Sequence, residues 1–168
     1  KIALVFFSIM AKISGAEKLR IKRLVRELKS HRAPHTEFVT VYIPSGYNLD
    51  KINQHLSEEY GTASNIKSAV TRKNVQAALE KMLQHLKGFK RTPENGLVAF
   101  AGNIAANEGK QNVKIWSFEP PIPLNQRIYR CDKVFVTDIL EEILVEHEVY
   151  GLVVLDRRDA TIALLKGK

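Results

Sequence analysis

Eight consecutive residues, Gly61–Ser68 (GTASNIKS), separate two segments that carry the apolar spacing of helices. Before them Leu49, Ile52, Leu56 and Tyr60 recur at helical intervals. After them Val75, Ala78, Leu79, Met82 and Leu86 do the same, predicting a helix from Ser68 to about Lys87, with Gly88 and Pro93 as stop signals. Two helices joined so closely make a hairpin with this stretch at its tip. Gly61 can take positive φ and is expected to end the first helix. Thr62, Ser64, Asn65 and Ser68 are small hydrogen-bonding residues suited to turns and caps, Lys67 adds an exposed cation, and Ile66 is the only large apolar residue. A connector needs only a glycine and a cap, so this composition is that of a surface that reads a partner. Glu58 and Glu59 end the first helix, where the helix dipole disfavours acid. A local rule broken beside a polar tip is a mark of function.

The rest of the chain supplies a sheet. Ile21, Leu24, Val25 and Leu28 form one helical stripe between Ala16 and His31, with Ser14 as its cap. Lys12 to Arg32 holds eight basic and two acidic residues. Such a run is ordinarily a solvated face, and its functional reading is a phosphate-contacting face. Thr36–Ile43, Leu97–Ala101, Asn112–Phe118 and Ile128–Cys131 read as strands, with Gly102–Lys110 a polar turn region. Pro120, Pro121 and Pro123 stiffen a connector. A helix is predicted from Thr137, as cap, to His147. Leu152–Leu155 and Thr161–Leu165 read as a β-hairpin around Arg157-Arg158-Asp159. No βαβ alternation appears. The predicted fold is α+β, a mixed, largely antiparallel sheet flanked by helices, with a protruding helical hairpin.

Size and charge narrow the function. A chain of 168 residues is enough for one domain with a proper core. A net charge of +8 favours a polyanionic partner. One cysteine, Cys131, excludes an intrachain disulfide and a cysteine-based zinc site, and the five histidines are scattered, so neither metal nor cofactor is expected. A reducing, cytoplasmic compartment fits. No apolar run approaches the ~20 residues of a membrane span. The apolar start Lys1–Ile9 has two readings, an extension upstream of a start at Met10, which is favoured, or an added strand that would need a sheet edge to cover it. Residues 11–168 are read as a single domain.

Catalytic arrangements find little support. The chain holds no Gly-x-Ser-x-Gly, no His-Glu-x-x-His and no Walker loop, and Gly109-Lys110 lacks the spacing of one. Glu58 and Glu59 are adjacent, which on a helix turns them about 100° apart. Glu141 and Glu142 read as a solvated face. Cys131 has no histidine local to it in sequence. Tyr129 and Cys131 share one face of a strand. The pair is either core-facing or a floor on which a nucleobase can stack.

These residues together resemble a known family. Gly61–Ser68 is similar to the Asn-Ile-Lys-Ser loop of archaeal and eukaryotic class 1 release factors, with its preceding Gly-Thr-Ala-x. Tyr129-x-Cys131-x-x-x-Phe135 resembles their second decoding motif, in the same order and at a similar separation. Glu59 fits an acidic position of that family, and Thr36 a threonine of its third recognition region, with His35 where the family has glycine. The resemblance implies a stop-codon-reading domain that enters the ribosomal A site. It implies Glu59, Thr62, Ser64, Asn65, Ile66, Lys67, Ser68, Tyr129, Cys131, Phe135 and Thr36 as codon-contacting residues. The implied partners are mRNA, the ribosome and its RNA and, for the full-length factor, a translational GTPase. Peptidyl-tRNA hydrolysis would depend on a Gly-Gly-Gln in a middle domain, and no Gly-Gly occurs here, so residues 11–168 are expected to be a decoding domain truncated before that middle domain and not an enzyme. The basic helix would add affinity for ribosomal RNA without sequence information. The alternatives are a ribosome-rescue or mRNA-surveillance paralogue, which should lack the Asn-Ile-Lys-Ser loop, and a stand-alone RNA or peptidyl-tRNA hydrolase.

Overall fold

Every residue of strand β2 (Phe38–Ile43) is buried, and its two faces belong to two different cores. The structure, a computed structural model, describes residues 3–8, 13–105, 110–145, 149–155 and 160–166. Val39, Val41 and Ile43 face one core, Phe38 and Tyr42 the other, as the period of a strand requires. Strands β3 (Leu97–Asn103), β4 (Val113–Phe118) and β5 (Ile128–Asp132) complete a sheet of order β4-β3-β2-β5, antiparallel throughout.

Helices cover both faces. Helix α1 (Gly15–Lys29) begins with a capping box, in which Ser14 Oγ accepts from the Glu17 N–H and the Glu17 carboxylate accepts from the Ser14 N–H. It lays Ile21, Val25 and Leu28 against Phe38, Tyr42 and Phe100. Helix α4 (Asp138–Leu144) joins that core through Leu140 and Ile143. On the opposite face lie α2 (Leu49–Thr62) and α3 (Ala69–Leu86), packed against β2 and β3 through Leu56, Leu79 and Met82. Burying each such side chain stabilises the fold by about 1.5–3 kcal/mol. The hairpin therefore lies along the sheet, with its turn at one end.

Several boundaries differ from those the sequence suggests. Helix α2 does not end at Gly61. It runs through Gly61 to Thr62 and passes into a 3-10 turn, Ala63–Asn65. The Thr62 hydroxyl donates back to the Glu58 carbonyl, so no left-handed residue is needed there. Among the described residues only Gly46 and Gly96 have positive φ. Gly102 belongs to β3, where it pairs with Lys114, and not to the turn after it, and the Phe38 ring lies 2.5 Å from where a Cβ would stand. Thr137 occupies the cap position of α4, but its hydroxyl donates to Glu141 Oε1 at 2.7 Å instead of capping a backbone N–H. Residues 146–148 and 156–159, where the sequence predicts a helix end and a hairpin turn, lie outside the described residues.

A second sheet, of order β1-β6-β7, joins the ends of the chain. Strand β6 (Val149–Leu155) pairs antiparallel with β7 (Ala160–Lys166) and with β1 (Ala3–Ser8), so β6 is the sheet edge that the apolar start occupies. Among the described residues, no helix is long and apolar enough to cross a membrane.

Candidate nucleic-acid interface

Strand β5 is an edge strand, bonded in the sheet only to β2. It turns Tyr129 and Cys131 toward the face covered by α2. There the Tyr129 hydroxyl donates to Glu59 Oε2 at 3.2 Å and lies 3.2 Å from Cys131 Sγ. A phenol has one proton, and the carboxylate is the stronger acceptor. The contact with the thiol can be made with either group as donor. Burial above all, reinforced by Cys131 and Glu59, pushes the Tyr129 hydroxyl well above the ordinary tyrosine range. Burial raises the Cys131 thiol as well. Both groups stay protonated near neutral pH and serve as hydrogen-bonding groups rather than nucleophiles. His55, one helical turn before Glu59, meets the Tyr129 ring edge to face at 5.0 Å between centroids.

The last turn of α2 carries Glu59 straight into the hairpin turn. Ile66 anchors that turn by packing on the core beneath α2 and α3, and Ala63 is buried. Arg72, one turn inside α3, donates from Nη1 to the Ile66 carbonyl at 3.0 Å. Ser68 caps α3 by accepting the Thr71 N–H. Ser64 Oγ accepts from Gln76 at 3.2 Å. Thr62, Ser64 and Ser68 are thus partly occupied in shaping the loop. Asn65 and Lys67 are exposed, and neither side chain makes a hydrogen bond or ion pair among the described residues.

Thr36 is exposed in the bend before β2. Its neighbours His35 and Glu37 line one wall of a cleft of about 530 Å³ whose other wall holds Ser68 and Thr71. The Glu37 side chain, 2% exposed, accepts from Asn74 Nδ2 at 2.8 Å through Oε2. Asn74 Oδ1 accepts from Asn103 Nδ2 at 3.0 Å, and Asn103 Oδ1 accepts from the Asn112 N–H at 2.8 Å. This polar chain joins the Thr36 bend to α3, to β3 and to the segment before β4. Glu37 Oε1 and Thr71 Oγ1 are buried without a partner.

The fold therefore gathers ten of the sequence-predicted residues around the α2–α3 turn, the facing part of β5 and the bend before β2. Phe135 is not among them. It is 4% exposed in the other core, stacked on Phe38 at 4.3 Å and edge-on to Phe100 and Trp116. The chain crosses to the α1 face after β5, and so Phe135 cannot form a wall of this site. Sequence reasoning missed Arg72, Glu37, Asn74 and Asn103. The one available signal was Asn74, a polar residue beside the apolar stripe of α3. Among the described residues, no group of three or more His, Cys, Asp or Glu could hold a metal ion.

Known proteins resemble this chain in sequence and in fold. Peptide chain release factor subunit 1 of Thermococcus kodakarensis is 54% identical over 154 residues, spanning 92% of this chain and 37% of that protein. The protein of the same name from Methanocaldococcus jannaschii is 43% identical over 160 residues, or 95% of this chain and 38% of its own length. A crystal structure of the archaeal translation termination factor aRF1 superimposes with a TM-score of 0.69 at 32% identity, covering 90% of this chain and 45% of that one. The chain thus spans under half the length of these relatives. The family described as eRF1 domain 1 matches residues 16–145, most of the sequence and nearly all of the four-stranded sheet with its helices. By that match and these identities, the chain belongs to the eRF1 domain 1 family.

Proposed function

We propose that this chain is the stop-codon-reading domain of a class 1 release factor, acting in translation termination at the ribosomal A site in the cytoplasm. The observation that carries the reading is the Tyr129–Glu59 hydrogen bond, which joins the second motif to the helix end that leads into the first. Two motifs about sixty residues apart in sequence become one surface.

The chemistry suits a codon of one uridine followed by purines. With Oε2 engaged by Tyr129, Glu59 Oε1 remains to accept from the Watson–Crick edge of a purine, where adenine offers its amine and guanine its N–H groups. The acidic side chain is also repelled by phosphate, so it favours base edges. The protonated phenol and thiol supply a partly apolar floor that stacking can use. Asn65 and Lys67, unengaged on the exposed turn, supply donors for a uracil carbonyl or a phosphate. Thr36 approaches from the bend across the cleft from Ser68. In this reading the chain recognises, and peptidyl-tRNA hydrolysis belongs to another part of a longer factor that also engages a translational GTPase.

The test is binding of this chain to ribosomal complexes that present UAA, UAG, UGA or a sense codon in the A site. Stop codons are expected to be preferred, and Lys67→Ala to remove most of the preference while leaving the thermal transition in place. Equal binding to stop and sense codons by the unaltered chain overturns the proposal.

A further inference from the structure

Helix α1 holds six basic and two acidic side chains in 15 residues, half of the whole chain's excess of +8. Neither acid moderates the outer face. Glu17 is engaged in the capping box with Ser14, whose hydroxyl donates to its carboxylate at 2.6 Å. Glu27 Oε1 accepts from Lys114 Nζ at 2.6 Å and from Trp116 Nε1 at 2.9 Å, toward β4. Lys29 pairs with Glu141 on α4, and Lys18, only partly exposed, is engaged as well. That leaves Arg20, Lys22, Arg23 and Arg26, all exposed and none in an ion pair among the described residues. They stand at i, i+3 and i, i+4 to one another, where like charges repel. A folded domain by itself gains nothing from this arrangement. An external line of negative charge turns the repulsion into attraction.

We propose that this face of α1 is a second RNA-binding surface, seated on the phosphate backbone of ribosomal RNA on the opposite side of the sheet from the codon-reading site. The choice of RNA rests on the decoding role proposed above. The apolar stripe Ile21, Val25 and Leu28 is consumed by the core, so α1 has no face to insert into a bilayer. Leu19, 49% exposed, is the one large apolar side chain on the outer face, which gives a protein partner little to anchor on. Three of the four cations are arginines, whose planar guanidinium groups match phosphate oxygens in pairs. Arg20 and Arg23 also line a cleft of about 390 Å³ with Trp116 and Phe118, which gives their stems an apolar wall to lie along.

The placement carries the rest. Tyr129, Cys131, α2 and α3 pack on one face of the sheet, and α1 on the other. One side reads bases through a few directional groups. The other supplies affinity without reading sequence. The domain is held from both sides, so backbone affinity and codon choice are separable.

The experiment measures this chain on a 20-base-pair RNA duplex of mixed sequence, and on ribosomal complexes with stop or sense codons, over a range of salt. The variant replaces Arg20, Lys22, Arg23 and Arg26 with Gln. Its plot of log affinity against log salt is expected to be shallower by about 3.6 on the duplex, near one counterion per lost contact. Its ratio of stop to sense binding should equal that of the unaltered chain, and its melting temperature should not fall, since a repulsion has been removed. Arg23→Gln alone should lower the slope by just under 1, and so keeps the test valid if the fourfold variant folds poorly. An unchanged slope overturns the proposal, and loss of binding to a polyglutamate peptide alongside it would assign the face to an acidic protein partner instead. Failure of the decoding role reads differently, because stop and sense binding would then be equal in the unaltered chain while the duplex slope still fell in the variant.

Discussion

The Tyr129 hydroxyl and the Glu59 carboxylate meet at 3.2 Å across the gap between the edge strand β5 and the last turn of α2. The bond fixes the direction of the carboxylate at the root of the hairpin turn. Tyr129→Phe keeps the ring, its contact with His55 and its packing, and removes only the oxygen. Loss of one such bond costs about 0.5–1.5 kcal/mol of stability. The functional effect should exceed that. With Glu59 free to rotate, discrimination at the purine positions is expected to weaken for all stop codons, as read by competition binding against sense codons. A full codon profile in Tyr129→Phe would assign the bond to stability alone.

Phe135 lies in the same sequence motif but answers to a different core. Its ring stacks on Phe38, and it touches Phe100 and Trp116 on the α1 side of the sheet. Phe135→Ala should therefore cost about 3–5 kcal/mol in a denaturant titration. At temperatures where the variant remains folded, its preference among codons should match that of the unaltered chain. A variant of normal stability with altered codon preference would reverse this assignment.

The two motif residues show where the sequence was readable. Ile21, Leu24, Val25 and Leu28, and the stripe from Val75 to Leu86, announce their helices because burial imposes a period on them. Ser14 and Ser68 announce helix starts because a cap is a local event. The face of Phe135 was not readable, since it depends on how residues 133–137 leave the strand: Val136 N–H donates to Thr40 Oγ1 and Val136 O accepts from Tyr42. Those partners are more than ninety residues away in sequence. Gly61 misled for the opposite reason. Its freedom at positive φ is an option, and a helix that passes into a 3-10 turn does not use it. The residues proposed to read the codon were named through motifs that resemble those of a family, whereas Arg72, Glu37 and Asn74, which are bonded around those motifs, carry no local pattern.

Glu37 and Asn74 test that supporting role. The Glu37 side chain is buried with only one oxygen bonded, by Asn74 Nδ2 at 2.8 Å. Asn74→Ala leaves that carboxyl group without any partner and cuts the chain to Asn103. The expected cost is about 1–3 kcal/mol, the penalty for a buried polar group left unsatisfied. Glu37→Gln in the same background should recover part of it, because an amide is less costly to bury unpaired than a carboxylate. Additive losses in the double variant, measured by chemical denaturation, would show that the two residues act independently.

Arg72 separates loop shape from loop chemistry. Its guanidinium holds the Ile66 carbonyl at 3.0 Å, in the middle of the turn, and it is itself only partly buried. Arg72→Met keeps the stem and the helix propensity and deletes the donor, so global stability should change by roughly 1 kcal/mol or less. The turn, relieved of its tether, should exchange its amide hydrogens faster at Ile66 and Lys67 than in the unaltered chain. Stop-codon binding should weaken with it, since Asn65 and Lys67 depend on the turn for their direction. Arg72→Lys retains a donor without the planar fork, and should recover part of the protection and part of the binding. Faster exchange with unchanged codon binding would mean that the turn is ordered by the ribosome rather than by Arg72.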